Sequence, residues 1–208
     1  MNDEMAHGEH MSPVEMLHMQ LTPTPTRPAT SADSARARAV VAALRSALAR
    51  YEDPAAAEAD GYRLFLPNVK HQRVYHYTHY GRAFKEAFRF DPAQPTSILY
   101  RETANGRHVL VGAMYTAPAR TSAEELDKRI PLSLARWHEH VNWCVPPRGE
   151  ESRWTATRGG APLFGPQSPV ATRAACDSVG GVFHERIFGW MVHVNTDAGD
   201  DLERVFAH

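Results

Sequence analysis

At 208 residues, with a formal net charge of -1 and 43% hydrophobic residues, the chain suits one ordinary globular domain plus a tail, long enough to bury a core unaided by metals or many disulfides. Its scattered arginines and near-neutral balance supply no field for nucleic acid or another polyanion, and no window approaches the roughly 18 consecutive apolar residues of a membrane span. Nucleic-acid partners and a membrane span are therefore set aside, and the opening "MNDEMAHGEH" is too acidic and polar to be a signal peptide.

The first segment interleaves soft and imidazole side chains: of 12 His and seven Met in the chain, His7, His10, His18 and five of the Met lie within the first 19 positions. "LTPTPTRPATS" follows and reads as an extended Pro/Thr linker with polyproline II character, so residues 1–30 are expected to be a flexible, disordered Met/His-rich tail and residues 31–208 a single domain. The spacing of Val40, Val41, Leu44, Leu48 and Tyr51 predicts a helix with one apolar face, capped by Ser31 or Asp33 and stopped by Pro54. A short turn of helix, "PAAAEADG", should end at Gly61.

From Tyr62 the periodicity changes to that of strands. "RVYHYTHY" alternates, and "TSILYRETANGRHVLVGAMYTA" predicts a hairpin whose Asn105-Gly106 pair has the chemistry of a type I′ turn. Ser122 and Glu125 form a capping box for a short helix ending near Pro131. Positions 145–168 are rich in Pro and Gly and predict a long loop, after which Ser168-Pro169 should open a helix holding Cys176, closed by Gly180-Gly181. "RIFGWMVHVN" predicts the last strand. The class expected is α+β, an N-terminal helix packed on a mainly antiparallel sheet.

The chemistry concentrates in "RWHEHVNWC", residues 136–144. Read as a strand, it sends Trp137, Val141, Trp143 and Val145 to one face and His138, His140, Asn142 and Cys144 to the other, with Glu139 out of place on the apolar side. Two imidazoles two apart then project side by side and can share an ion; on a helix they diverge by roughly 200°, so the chelate requires the strand, and helical spacing of Leu134, Trp137 or His138 and Val141 is the rival. In "GWMVHV" the same alternation places Met191, His193 and Asn195 opposite Trp190, Val192 and Val194, which offers His193 as a third ligand. His76 and His79 fall on opposite faces of their strand, and His76 is favoured as the fourth. Three or four neutral imidazoles suit Cu(II) or Zn(II), and soft sulfur favours Cu(I), so copper is the expected ion and zinc the alternative. His7, His10, Met11, Met16, His18 and Met19 form a second, weaker candidate set in the tail. The opposing reading leaves every one of these histidines as a hydrogen-bonded core or surface group, and that is the reading given to His71, His108, His184 and His208.

Cys144 and Cys176 bracket the long loop and either form a disulfide that staples it, which implies an oxidising compartment, or leave Cys144 as a ligand or nucleophile beside His140. No phosphate-binding loop, nucleophile elbow, H-E-x-x-H or dinucleotide fingerprint is present. An enzyme would therefore rest on the metal, with Glu139 or Glu185 as base and Tyr77 or Tyr80 nearby.

The phrases "ALARYEDPAAAEADGY", "YHYTHY", "FDPAQPTSILYRE" and "HVLVGAMY", spanning roughly residues 44–116, resemble a set of uncharacterised secreted bacterial proteins. Those proteins share a Y-x-D-x-x-x-A-x-x-x-G-Y helix end, an HY segment and an L-V-G-x-x-Y hairpin. The resemblance implies an exported, periplasmic or secreted protein whose signal peptide is absent from this chain, favours the disulfide, and puts His76 at the recurrent HY; it implies no activity. Three functions follow as expectations: a metal-binding, transport or resistance protein, a metal-dependent oxidase or hydrolase, or a structural or ligand-binding domain without metal.

Overall fold

The computed structural model describes residues 20–69 and 72–207; the expectations placed on His7, His10, Met11, Met16, His18 and Met19, and on His71 and His208, lie outside them. Helix α1, Ser31–Leu48, buries the expected stripe of Val40, Val41, Leu44 and Leu48 and continues through a 3-10 turn, Ala49–Tyr51. Its cap lies one residue earlier than Ser31: Thr30 Oγ1 accepts from Asp33 N at 3.3 Å and Asp33 Oδ2 accepts from Thr30 N at 2.9 Å, a reciprocal box in which Asp33 is the third helical residue and not the cap. Each fully buried Leu on this stripe contributes about 1.5–3 kcal/mol relative to exposure. Helix α2, Pro54–Ala59, is capped by Asp53 and ends at Gly61, whose φ of 94° only glycine adopts without strain.

Among the described residues the pairing pattern gives nine strands: β1 Leu21–Pro23, β2 Arg63–Leu64, β3 Tyr75–Thr78, β4 Ser97–Glu102, β5 His108–Ala117, β6 His138–Val145, β7 Thr157–Arg158, β8 Ala161–Pro162 and β9 Val182–Asn195. Seven form one antiparallel sheet in the order β1-β6-β9-β5-β4-β3-β2. The α+β class and the mainly antiparallel sheet are therefore as expected. The β4–β5 turn is not type I′: Gly106 N donates to Thr103 O and Thr103 N to Arg107 O, both at 2.8 Å, and only Gly106, at φ 77°, is left-handed. That is the three-residue loop of a type I turn followed by a left-handed glycine.

One sheet face carries the main core. Tyr62, Tyr75, Tyr77, Ile98, Tyr100, Ala113, Tyr115, Trp137, Val192 and Val194 pack there with α1 and with Leu126 of helix α4, Ala123–Arg129, and Leu202 and Val205 of helix α6, Leu202–Val205. Ser122 and Glu125 make the expected capping box on α4. Helix α3, Tyr80–Glu86, follows β3 and buries Glu86.

Leu21–Pro23, read from its prolines as linker, is an edge strand, with Leu21 opposite His140 and Pro23 opposite His138. Proline is tolerated because an edge strand leaves one row of amides unused. Gln20, Leu21 and Thr24 are buried, and Arg27 spans Asp33 and Asp127 at 2.6–2.9 Å, so this stretch is fixed to the sheet. The region 145–168 contains a 3-10 turn, Glu151–Thr155, and the small β7–β8 hairpin. Helix α5, Arg173–Ser178, is capped by Thr172 rather than Ser168, which is buried and accepts from Val170 N. Cys144 and Cys176 form a disulfide that joins β6 to α5 inside a second apolar cluster with Phe164, Val170 and Val179. This removes Cys144 as a ligand or nucleophile.

Candidate metal centre

The stretch 138–145 is a strand because it has a neighbour on each side, β1 and β9; long-range pairing decides what a short periodicity leaves open. His138 and His140 accordingly share a face, with ring centroids 5.6 Å apart. On β9, His193 brings its ring 5.3 Å from that of His138. His76 on β3 brings its Nε2 to 3.3 Å from His193 Nε2. The four histidines named from the sequence thus form one run: His76, His193, His138, His140.

The contact between His76 and His193 demands a curved sheet. Strands β4 and β5 separate β3 from β9, so the two backbones stand roughly 14 Å apart in a flat sheet, more than two imidazoles span. A bulge supplies curl: Leu99 pairs with Gly112 but Tyr100 with Leu110, leaving Val111 extra. Gly112 is required there, because a Cβ would stand 2.0 Å from Val194 O.

Hydrogen bonding sets the tautomers. His76 Nδ1 lies 3.2 Å from Val74 O and His138 Nδ1 lies 3.4 Å from Arg136 O. A carbonyl only accepts, so these Nδ1 atoms carry hydrogen, and in the neutral rings Nε2 holds the lone pair. His193 Nε2–H then donates to His76 Nε2. Burial lowers the His76 pKa from 6.5 to about 4, against the opposing effect of the Val74 carbonyl, so the ring is neutral at pH 7.

Strain collects around the same place. The four non-glycine residues with left-handed φ among those described are Gln20 at 55°, Leu66 at 52°, Asn142 at 56° and Phe188 at 71°. Gln20 O accepts from Val141 N, Asn142 follows the His pair, and Phe188 packs on His140, Trp143 and Phe65, the neighbour of Leu66. Such conformations cost of order 1 kcal/mol or more each and cluster at functional sites.

Other expected neighbours are elsewhere. The alternation of β6 breaks at Asn142, so Trp143 packs on His140 at 4.8 Å, while Cys144 turns into the disulfide cluster. Glu139 pairs with Arg186 at 3.3 Å, and Glu185 is exposed and pairs with Arg173. Tyr77 is in the main core against Tyr100, and Tyr80 is 67% exposed on α3. His79 accepts from Arg82 N and packs on Tyr62, away from His76. His108 stacks on Tyr75 at 4.3 Å. A cleft of about 260 Å³ lies between α1 and α6, lined by Arg38, Val41, Arg45 and Leu202, on the other side of the sheet from the histidines.

Among the described residues, no group of three or more His, Cys, Asp or Glu side chains is gathered closely enough to hold an ion as it stands. What the rings show is one pair at ligand spacing with a third and fourth ring adjoining. The same face carries Leu99, Val111, Met114 and Met191 as a small buried cluster. Compared with family profiles, curated proteins and solved structures, the chain matches none.

Proposed function

We propose that this is an extracytoplasmic protein that binds a transition metal, copper before zinc, through His76, His193, His138 and His140, with a role in metal binding, transport or resistance. The observation that carries this reading is the 3.3 Å separation of His76 Nε2 and His193 Nε2. Two imidazoles on one tetrahedral ion, each roughly 2.0–2.1 Å from it, place their nitrogens about 3.3 Å apart. Backbone carbonyls at Nδ1 of His76 and His138 support it further, since a histidine ligand is oriented by its second nitrogen. A third nitrogen comes from His138 by a side-chain rotation. Metal entry would move the His193 proton from Nε2 to Nδ1, which frees the second Nε2 lone pair while both rings stay neutral. The disulfide supports an oxidising compartment, and among the described residues no helix is long and apolar enough to cross a membrane.

The test is elemental analysis of the full chain beside His138→Ala/His140→Ala and beside a chain with His7, His10 and His18 replaced by Ala and Met5, Met11, Met16 and Met19 by Leu. Stoichiometric copper or zinc that disappears with the His pair and survives the tail replacements supports the centre. Metal that disappears only with the tail replacements, or no metal in the parent chain, refutes it.

A further inference from the structure

Seven methionines are present in the chain and five lie within the first 19 residues; the remaining two are Met114 and Met191. Both lie on the histidine face, in one buried cluster, at 6% and 5% exposure. The register places each directly across from a histidine: Met114 opposite His193 between β5 and β9, and Met191 opposite His138 between β9 and β6. Met191 is also two residues before His193 on β9 and so shares its face. Directly opposed residues have Cβ atoms about 4.5–5.5 Å apart, within the reach of a thioether. Strand β5 lies between β9 and β3, so Met114 sits under the gap that His76 and His193 close from either side.

We propose that Met114 and Met191 are thioether ligands of this centre and make it selective for Cu(I), an inference that rests on the histidines binding metal. Two properties of the set favour the monovalent ion. Thioether sulfur is a soft donor that suits Cu(I) and not Zn(II). None of the six side chains carries a negative charge, so the ion brings its whole charge into a buried layer, and one unit costs far less there than two. Methionine also suits a site that must change shape on loading, because its unbranched chain rotates about three bonds and swings sulfur without moving the backbone.

The experiment uses the full chain with Met5, Met11, Met16 and Met19 replaced by Leu, which removes the tail thioethers that would obscure the result. In that background, Met114→Leu, Met191→Leu and the double variant are titrated with Cu(I) against bathocuproine disulfonate and with Zn(II) separately. Leu replaces Met at nearly constant volume, so thermal stability and zinc affinity are the folding controls. Expected are a loss of Cu(I) affinity by about tenfold or more in the double variant, unchanged zinc affinity, and a sulfur neighbour in the copper X-ray absorption spectrum that vanishes with the two substitutions. Unchanged Cu(I) affinity with no sulfur neighbour would overturn the thioether assignment and leave the histidine centre standing. Absence of both Cu(I) and Zn(II) binding before Met114 and Met191 are touched would overturn the histidine centre itself, and the thioether assignment with it.

Discussion

The two faces of one sheet solve different problems with the same alternation. On the α1 side, three buried tyrosines are anchored to backbone: the hydroxyls of Tyr62, Tyr100 and Tyr115 donate to Pro95 O, Tyr51 O and Pro92 O at 3.0, 2.6 and 2.6 Å. Each of these three rings adds buried area, and its hydroxyl finds a backbone carbonyl. On the opposite face the imidazoles meet one another, at 3.3 Å in the His76–His193 case, and the small apolar cluster beside them holds two methionines with Leu99 and Val111. Burial stabilises the fold on the first face, and on the second it holds an imidazole neutral, lowering the His76 pKa to about 4. The contrast teaches that substitutions on the two sides should separate stability from metal content.

The largest effect is expected at Leu44, which is 0% exposed under the sheet. Leu44→Ala should cost about 3 kcal/mol in denaturant unfolding while the folded protein keeps its full metal content. A substitution of similar size titrates. Glu86 is buried and its carboxyl is pushed up from 4.5 to about 7 by burial, against hydrogen bonds from Thr96 and Thr116. The folded state therefore keeps a proton that the unfolded chain has released, and stability falls as pH rises from about 4.5 through 7, by about 3 kcal/mol in all. Glu86→Gln should flatten that slope and melt higher than the parent at pH 8; a parallel pH profile would refute the assignment. Smaller in stability but complete in function, His138→Ala/His140→Ala should remove bound metal and move the unfolding free energy by less than Leu44→Ala does. Smallest is Arg27→Ala, which breaks a solvent-screened bridge to Asp33 and Asp127 and should lower the unfolding midpoint only slightly, with metal retained.

Elements carried by local signals were legible in the chain itself. The apolar stripe of α1, the Ser122/Glu125 box and the alternation around His193 were each readable because their physics acts within a few residues. Misplaced features depend on partners distant in sequence. Proline in "LTPTP" reads as linker, yet Leu21–Pro23 has β6 to pair with and becomes an edge. The turn at Asn105-Gly106 took a type I core with a glycine bulge, because which of the two turns fits is set by strand twist and register. The break at Asn142, which sends Trp143 to His140 and Cys144 to Cys176, is invisible to a strict two-residue period. Met191 was legible as a face-mate of His193, but Met114 could be placed beside the histidines only by the β5–β9 register.

The edge strand β1 also settles where the first 19 residues are attached. Gln20 O is bonded to Val141 N, and Leu21 lies across from His140, so the chain leaves the sheet beside the histidine pair. If the proposed centre binds metal, a metal-binding side chain on that segment would be tethered to it, at an effective concentration of order millimolar and independent of how dilute the protein is. Handover between segment and sheet would then depend on tether length and not on protein concentration.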